Sequence, residues 1–244
     1  AIAQGKLPHQ SWFALGRQLT NAGTTPILLS WSGSMFEYLM PLLVMPSYEN
    51  TLLDQTYKAV IQKQIDYGRK RGVPWGISES GYNMVDANLN YQYRAFGVPG
   101  LGFKRGLGED LVIAPYATVM ALMVAPEDAY DNLRVMKEQG FEGKYGFYEA
   151  IDYTSSRLLR RTTHTVIRSF MAHHQGMALL SITYLLCDKP MQKRFESHEQ
   201  VKSALLLLQE RIPRVTTFYS PTVHEADISV TPGGSESMRV INTP

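Results

Sequence analysis

The sequence predicts an all-α fold of antiparallel helix hairpins, on three observations. Apolar residues recur at helical spacing in several windows, glycine and proline punctuate those windows, and no run of alternating strand residues stands out. Consecutive helix pairs are the economical way to bury such apolar stripes against one another. With 244 residues, 44% of them hydrophobic, the chain is long enough for a real core in one or two domains.

Taken in order, residues 1–30 read as a lead-in with a helix around 11–19 and a turn cluster at 21–26. Residues 34–44 form an apolar helix that Pro41 breaks or kinks. The clearest helix follows Thr51, a capping residue, with Leu53, Tyr57, Val60, Ile61, Gln64 and Ile65 on one side. Lys58, Gln62, Lys63 and Asp66 fall on the other side, and Gly68 to Gly72 ends the run. The glycine-rich stretch 97–102 follows no convincing strand, which argues against a dinucleotide fingerprint. Pro115 opens a helix to about Val124 and Pro126 another to about Gln139, since a first-turn N–H has no partner to lose.

A polar segment with Arg157, Arg160 and Arg161 leads into an apolar stretch, 166–187. Segments 190–195 and 198–211 read as the last helices, with Leu205 to Leu208 buried. Residues 1–213 are thus expected to form one domain. Residues 214–244, rich in Thr, Ser, Pro and Gly without a period, read as a linker. No repeat of fixed length supports a solenoid.

Composition excludes some functions. A net charge of +2 without a Lys/Arg stripe is no footprint for nucleic acid. Cys187 is the single cysteine, so no internal disulfide forms. Residues 1–10 do not resemble a signal peptide, and Pro115 interrupts the most apolar window, 111–125, which is shorter than the ~20 residues of a membrane span. The segment is expected to be soluble.

The candidate site is built on three aromatic-flanked carboxylates. Glu79 lies in Gly72-Val73-Pro74-Trp75-Gly76-Ile77-Ser78-Glu79-Ser80-Gly81-Tyr82-Asn83, Glu37 follows Trp31-Ser32-Gly33-Ser34-Met35-Phe36, and Glu149 follows Tyr145-Gly146-Phe147-Tyr148. Two readings stay open: buried connectors whose glutamates cap helices, or the rim of one cleft. Cleaving a glycosidic bond requires one carboxylic acid and one carboxylate, so paired carboxylates lead the candidates. Asp86 and Asp152 stand near two of them.

His173, His174 and Gln175 are open to three readings: a bond to a helix terminus, donors to sugar hydroxyls, or a metal. The metal reading lacks HExxH-type spacing. Asn90 and Arg94 suit either a ligand or a structural turn. With no G-x-S-x-G elbow, serine nucleophile chemistry has no support.

The runs WSGSMFEYLMPLLVMPSYENTLLDQTY, GVPWGISESGYN, NYQYRAFGVPGLGFKRGL, KYGFYEAIDYT and SFMAHHQGM resemble the glycoamylase-like central domain of cyclic β-1,2-glucan synthases, over roughly 12–213. That resemblance implies an (α/α)6 toroid around a sugar cleft, of which this chain is the C-terminal part. It implies retaining transglycosylation that closes linear β-1,2-glucan into a ring, without cofactor or metal. Related stand-alone domains look like endo-β-1,2-glucanases, so an endo-β-1,2-glucanase or glucoamylase-like hydrolase is one alternative and a non-catalytic glucan-binding module the other.

The implied partners are β-1,2-glucan and the rest of the synthase, including the toroid's N-terminal part and the glycosyltransferase and phosphorylase-like modules. The implied location is the cytoplasmic side of a bacterial inner membrane. A part-toroid would expose apolar surface and self-associate or pair with the missing part. Glu149 in its apolar setting is then the expected acid, Glu79 the expected nucleophile and Glu37 the third candidate. Trp75, Tyr82 and Tyr148 are expected to stack on glucose rings, with Trp31 and Asp152 beside them.

Overall fold

The computed structural model describes residues 1–22 and 25–212. The expected linker, 214–244, lies outside the described residues, as do residues 23 and 24 of the first turn cluster. After α1 (Gln10–Phe13), shorter than expected, comes an antiparallel hairpin of β1 (Leu19–Ala22) and β2 (Thr25–Leu28), with Thr20 opposite Ile27. The kink at Pro41 is present: α2 (Met35–Leu39) gives way to a 3-10 turn over Pro41–Leu43.

α3 (Leu52–Arg71) matches its signals at both ends. The Thr51 hydroxyl accepts the Asp54 N–H, Arg69, Lys70 and Arg71 oppose the helix dipole in the last turn, and Gly72 closes it at φ 68°. Its buried face includes Tyr57, Val60, Ile61 and Gln64. The Gln64 amide holds Ile77 at both backbone groups, donating to its carbonyl at 2.9 Å and accepting its N–H at 2.8 Å. Asn132 and Thr118 likewise grip the backbone of Trp75. The stretch after Gly72 is therefore bolted into the core.

The all-α expectation is corrected. Nine short strands alternate with the helices among the described residues. β3 (Ser80–Val85) and β4 (Tyr91–Arg94) pair as a hairpin with an irregular register between Gly81 and Val85. β5 (Val112–Ile113) is the edge of a three-stranded antiparallel sheet completed farther along the chain. α4 (Pro115–Ala121) packs against α5 (Pro126–Glu138), and β6 (Glu142–Gly143) and β7 (Gly146–Phe147) form a small hairpin.

β8 (Ala150–Asp152) is the sheet's centre and β9 (Thr165–Ile167) its other edge, with Ile151 facing Ile113 on one side and Val166 on the other. β8 is wholly buried, so it carries no alternation for a sequence reading to detect.

The apolar stretch 166–187 is correspondingly part strand, part helix: α6 runs Ala172–Leu186 and packs on α4. α7 (Pro190–Ser197), α8 (Glu199–Lys202) and a 3-10 turn over Leu205–Gln209 finish the described chain. Of the four leucines expected inside, Leu208 is buried and Leu206 is 76% exposed. The two ends of the described chain meet at Glu210, whose carboxylate accepts from Trp12 Nε1 at 3.0 Å and Arg17 Nε at 3.0 Å.

The glycine-rich stretch 97–102 has a packing role. A Cβ on Gly97 would lie 1.7 Å from the Ser32 carbonyl oxygen, and one on Gly102 2.5 Å from the Gly33 nitrogen. Only bare backbone lets this loop close over the segment that presents Trp31 and Glu37.

Candidate active site

Glu79 immediately precedes β3 and Glu149 immediately precedes β8, so two strand starts carry the two carboxylates. Glu149 is 2% exposed. Its Oε1 accepts the Gly81 N–H at 3.2 Å, which ties it to Glu79's own strand. His174, in the first turn of α6 and fully buried, brings Nδ1 to 2.9 Å from the same oxygen. That approach is short but bent away from good hydrogen-bond alignment. Oε2 of Glu149 is buried with no hydrogen-bond partner among the described residues. Glu149 also lines a cavity of about 190 Å³, shared with Tyr116, Tyr148, Gln175 and Ile182.

Glu79 is half-buried, and its Oε2 accepts the Tyr93 hydroxyl at 3.1 Å. The same hydroxyl lies 3.2 Å from His174 Nε2 and 3.4 Å from His173 Nε2. Burial, then the Glu79 and Glu149 charges, hold the Tyr93 phenol well above its ordinary pKa. Tyr116 is also raised, chiefly by burial, although Ser78 opposes this by hydrogen bonding. The Tyr116 hydroxyl donates to the Glu79 carbonyl at 2.8 Å and shares a 2.8 Å contact with Ser78 Oγ. Burial and the neighbouring His174 lower the His173 pKa against the pull of Glu149 and Glu79.

The third carboxylate has its own set of partners, although the Phe36 N–H beside it donates to Ser78 Oγ at 3.0 Å. Glu37 is at the third position of α2, forming a capping box with Ser34. Its oxygens also accept from the Ser30 and Ser32 hydroxyls and from the Ser32 and Ser34 N–H groups. Burial pushes its pKa up, but these hydrogen bonds outweigh it and the net shift is downward. Glu37 therefore has its acceptor capacity committed to a helix start.

Asp152 is fully buried and accepts from Asn83 N–H, Thr154 N–H and the Arg157 guanidinium, whose Nε lies 2.8 Å away. Arg157 also bonds Asp110, which Arg94 meets at 3.2 Å. Burial works against the charge on Arg157, but its bonds to Asp152 and Asp110 hold its pKa above the ordinary value. Asp152 and Arg94 thus sit in an ion network under Tyr82, over whose ring the guanidinium lies at 5.0 Å.

The expected aromatic platforms divide. Trp75 is 7% exposed and belongs to the core, so the expectation that it stacks on a sugar is corrected. Trp31 is 69% exposed, with its carbonyl held by the Lys104 N–H. Tyr82 is half-buried edge-on to Phe96, and half-buried Tyr148 lies near Phe170. Asn90 closes the β3–β4 turn against Asp86. Gln175 is exposed at the cavity's edge.

Tyr93, Tyr116, Asp110 and Arg157 escaped the sequence reading as site residues. Tyr93 carried a signal, since it neighbours Arg94 in an alternating Tyr91-Gln92-Tyr93 run that fits a strand.

The family model "Glycoamylase: Putative glucoamylase" matches residues 3–199. The chain belongs to the glycoamylase family. This glycoamylase-family chain is 45% identical over 214 residues to the cyclic β-(1,2)-glucan synthase NdvB of Rhizobium meliloti (strain 1021). The match covers 88% of this chain but 8% of the synthase.

Among solved structures, an endo-β-1,2-glucanase from Chitinophaga pinensis, in complex with sophorotriose and glucose, superposes with a TM-score of 0.58. It shares 18% identity, over 81% of this chain and 47% of that one, so the likeness is one of fold. Among the described residues, no helix is long and apolar enough to cross a membrane.

Proposed function

We propose that this glycoamylase-family chain is the glucan-processing part of a larger cyclic β-1,2-glucan synthase. In this reading Glu79 and Glu149 are the paired carboxylates of a retaining transglycosylation that closes linear β-1,2-glucan into a ring. One observation carries it: two carboxylates from separate strand starts converge on Tyr93 and His174, one half-exposed, the other with a free oxygen beside a cavity. Retention needs two carboxyls on either side of the scissile bond, one protonating the leaving oxygen while the other attacks carbon. The likeness to a cyclic β-1,2-glucan synthase supports the substrate.

The hairpins α4–α5 and α6–α7 are read as part of an (α/α)6 toroid, since the chain covers 47% of the solved glucanase. The face of α6 that exposes Leu179, Leu185 and Leu186 is read as the side that meets the missing helices or, in the isolated chain, a second copy. The location, on the cytoplasmic side of an inner membrane beside glycosyltransferase and phosphorylase-like modules, belongs to this same proposal.

The test uses the longer protein that contains this chain, mixed with linear β-1,2-glucan. Rings without reducing ends are the expected product. New reducing ends would make it a hydrolase instead, and binding without any change in chain length would leave a glucan-gripping module.

A further inference from the structure

Glu79 Oε2 lies 3.1 Å from Tyr93 Oη, which lies 3.2 Å from His174 Nε2, while His174 Nδ1 lies 2.9 Å from Glu149 Oε1. We infer that these four side chains form a proton wire that lets one proton rest on either carboxylate, with Tyr93 as the positioning residue at its centre. This deepens the reading of Glu79 and Glu149 as a pair and rests on it.

The argument is one of donors and acceptors. A phenol has one proton to give and lone pairs to accept with; a neutral imidazole has one N–H and one bare nitrogen. The run can therefore be polarised in either direction. In the first state Glu79 is the acid and donates to Tyr93 Oη, Tyr93 donates to His174 Nε2, and His174 Nδ1–H faces an ionised Glu149. In the second, Glu149 is the acid and donates to His174 Nδ1, His174 Nε2–H donates to Tyr93, and Tyr93 donates to an ionised Glu79.

Passing between the two states breaks the Glu79 O–H, Tyr93 O–H and His174 Nδ1–H bonds. It forms new bonds at Tyr93 Oη, His174 Nε2 and Glu149 Oε1. The total charge is unchanged, and Tyr93 and His174 are neutral in both states. The one atomic adjustment required is alignment of the bent Nδ1–Oε1 contact, which is already at hydrogen-bond distance.

The surroundings keep the run unbranched on one side and lightly branched on the other. Tyr116 stacks on His174 with ring centroids 3.7 Å apart, but its hydroxyl is committed to Ser78 and the Glu79 carbonyl. The Gly81 N–H donates to Glu149 Oε1 in both states. His173 Nε2, 3.4 Å from Tyr93 Oη, is the side branch. In a retaining cycle the acid gives its proton to the leaving oxygen and regains one from the incoming hydroxyl, so the resting site holds one protonated and one ionised carboxyl, and the wire lets that resting proton sit on either.

The tautomer of His174 reports which carboxylate holds the proton, so the wire is testable without glucan. The longer protein that contains this chain is labelled with ¹⁵N-histidine and the ring nitrogens of His174 are followed by NMR. Glu79→Gln, which can no longer exchange a proton, is expected to shift both resonances in opposite directions; Glu79→Ala serves as a second probe. In a Tyr93→Phe background the same substitutions are expected to leave His174 unmoved. No shift in the presence of Tyr93, or an equal shift in its absence, overturns the wire. In the glucan-active longer protein, Tyr93→Phe is expected to lower turnover roughly 10²-fold and alter its pH profile with little change in KM. A wild-type protein inert toward glucan would remove the functional reading while leaving the NMR cycle to stand or fall alone.

Discussion

His174 lies flat on Tyr116, with ring centroids 3.7 Å apart and planes 9° from parallel. The stack fixes the imidazole between the two carboxylates, and the Tyr116 hydroxyl fixes the backbone of Glu79 from the same ring. One tyrosine thus sets the orientation of both halves of the site.

Tyr116→Ala should therefore cost stability and activity together. Loss of a buried aromatic ring is worth about 3–5 kcal/mol, read as a lower urea midpoint. Tyr116→Phe keeps the stack but leaves Glu79's carbonyl without that donor. It should retain most of the stability while lowering turnover.

Glu79→Gln and Glu149→Gln remove charge with little change of shape. Each is expected to reduce turnover on β-1,2-glucan by several orders of magnitude in the longer protein, with glucan binding retained in calorimetry. Glu37→Gln should lose far less activity, because Glu37 closes a capping box. Wild-type rates in Glu79→Gln would exclude Glu79 from the chemistry.

Glu37 should instead appear in the pH dependence of stability. Its folded pKa is depressed, so its contribution is present above the unfolded carboxylate value and fades as pH falls through the folded one. Glu37→Gln is expected to be less stable than wild type at pH 7, by about 1 kcal/mol as for a lost cap. The two should converge in the acid limb. Urea midpoints from pH 7 to pH 3 would measure the gap; a constant difference would contradict the assignment.

Arg157 neutralises two buried acids, Asp152 and Asp110. Arg157→Met leaves both carboxylates without their main counter-charge and should cost about 3–5 kcal/mol. Arg157→Lys should recover only part of this, because an ammonium cannot reproduce the forked contacts to Asp152 and Thr154. Chemical denaturation of the two variants checks the order.

Local signals were legible in the sequence and long-range contacts were not. Thr51 and Gly72 marked α3 because capping chemistry acts within one turn. The three glutamates were visible as aromatic-flanked carboxylates, but composition cannot tell an aromatic that lines a cleft from one that fills a core, so Trp75 was placed at the rim. The same blindness left Glu37's cap and Glu79's environment indistinguishable. β8 was hidden by its complete burial, and Tyr116 by the 58-residue separation from His174 that only folding closes. Arg157 looked like one of three arginines in a polar stretch until Asp110 and Asp152 met on it.

Glu210 also has a mechanical consequence. Its carboxylate holds Trp12 and Arg17, and its carbonyl accepts the Leu52 N–H at 2.7 Å. Tension applied between the two ends of the described chain would load this clasp before it reached α3 or the sheet. The clasp is a handful of polar bonds at a partly exposed site, so it would yield at lower force than the packed helices behind it. Any pull transmitted from neighbouring segments would be absorbed first by peeling α1, with the Glu79–Glu149 geometry still intact.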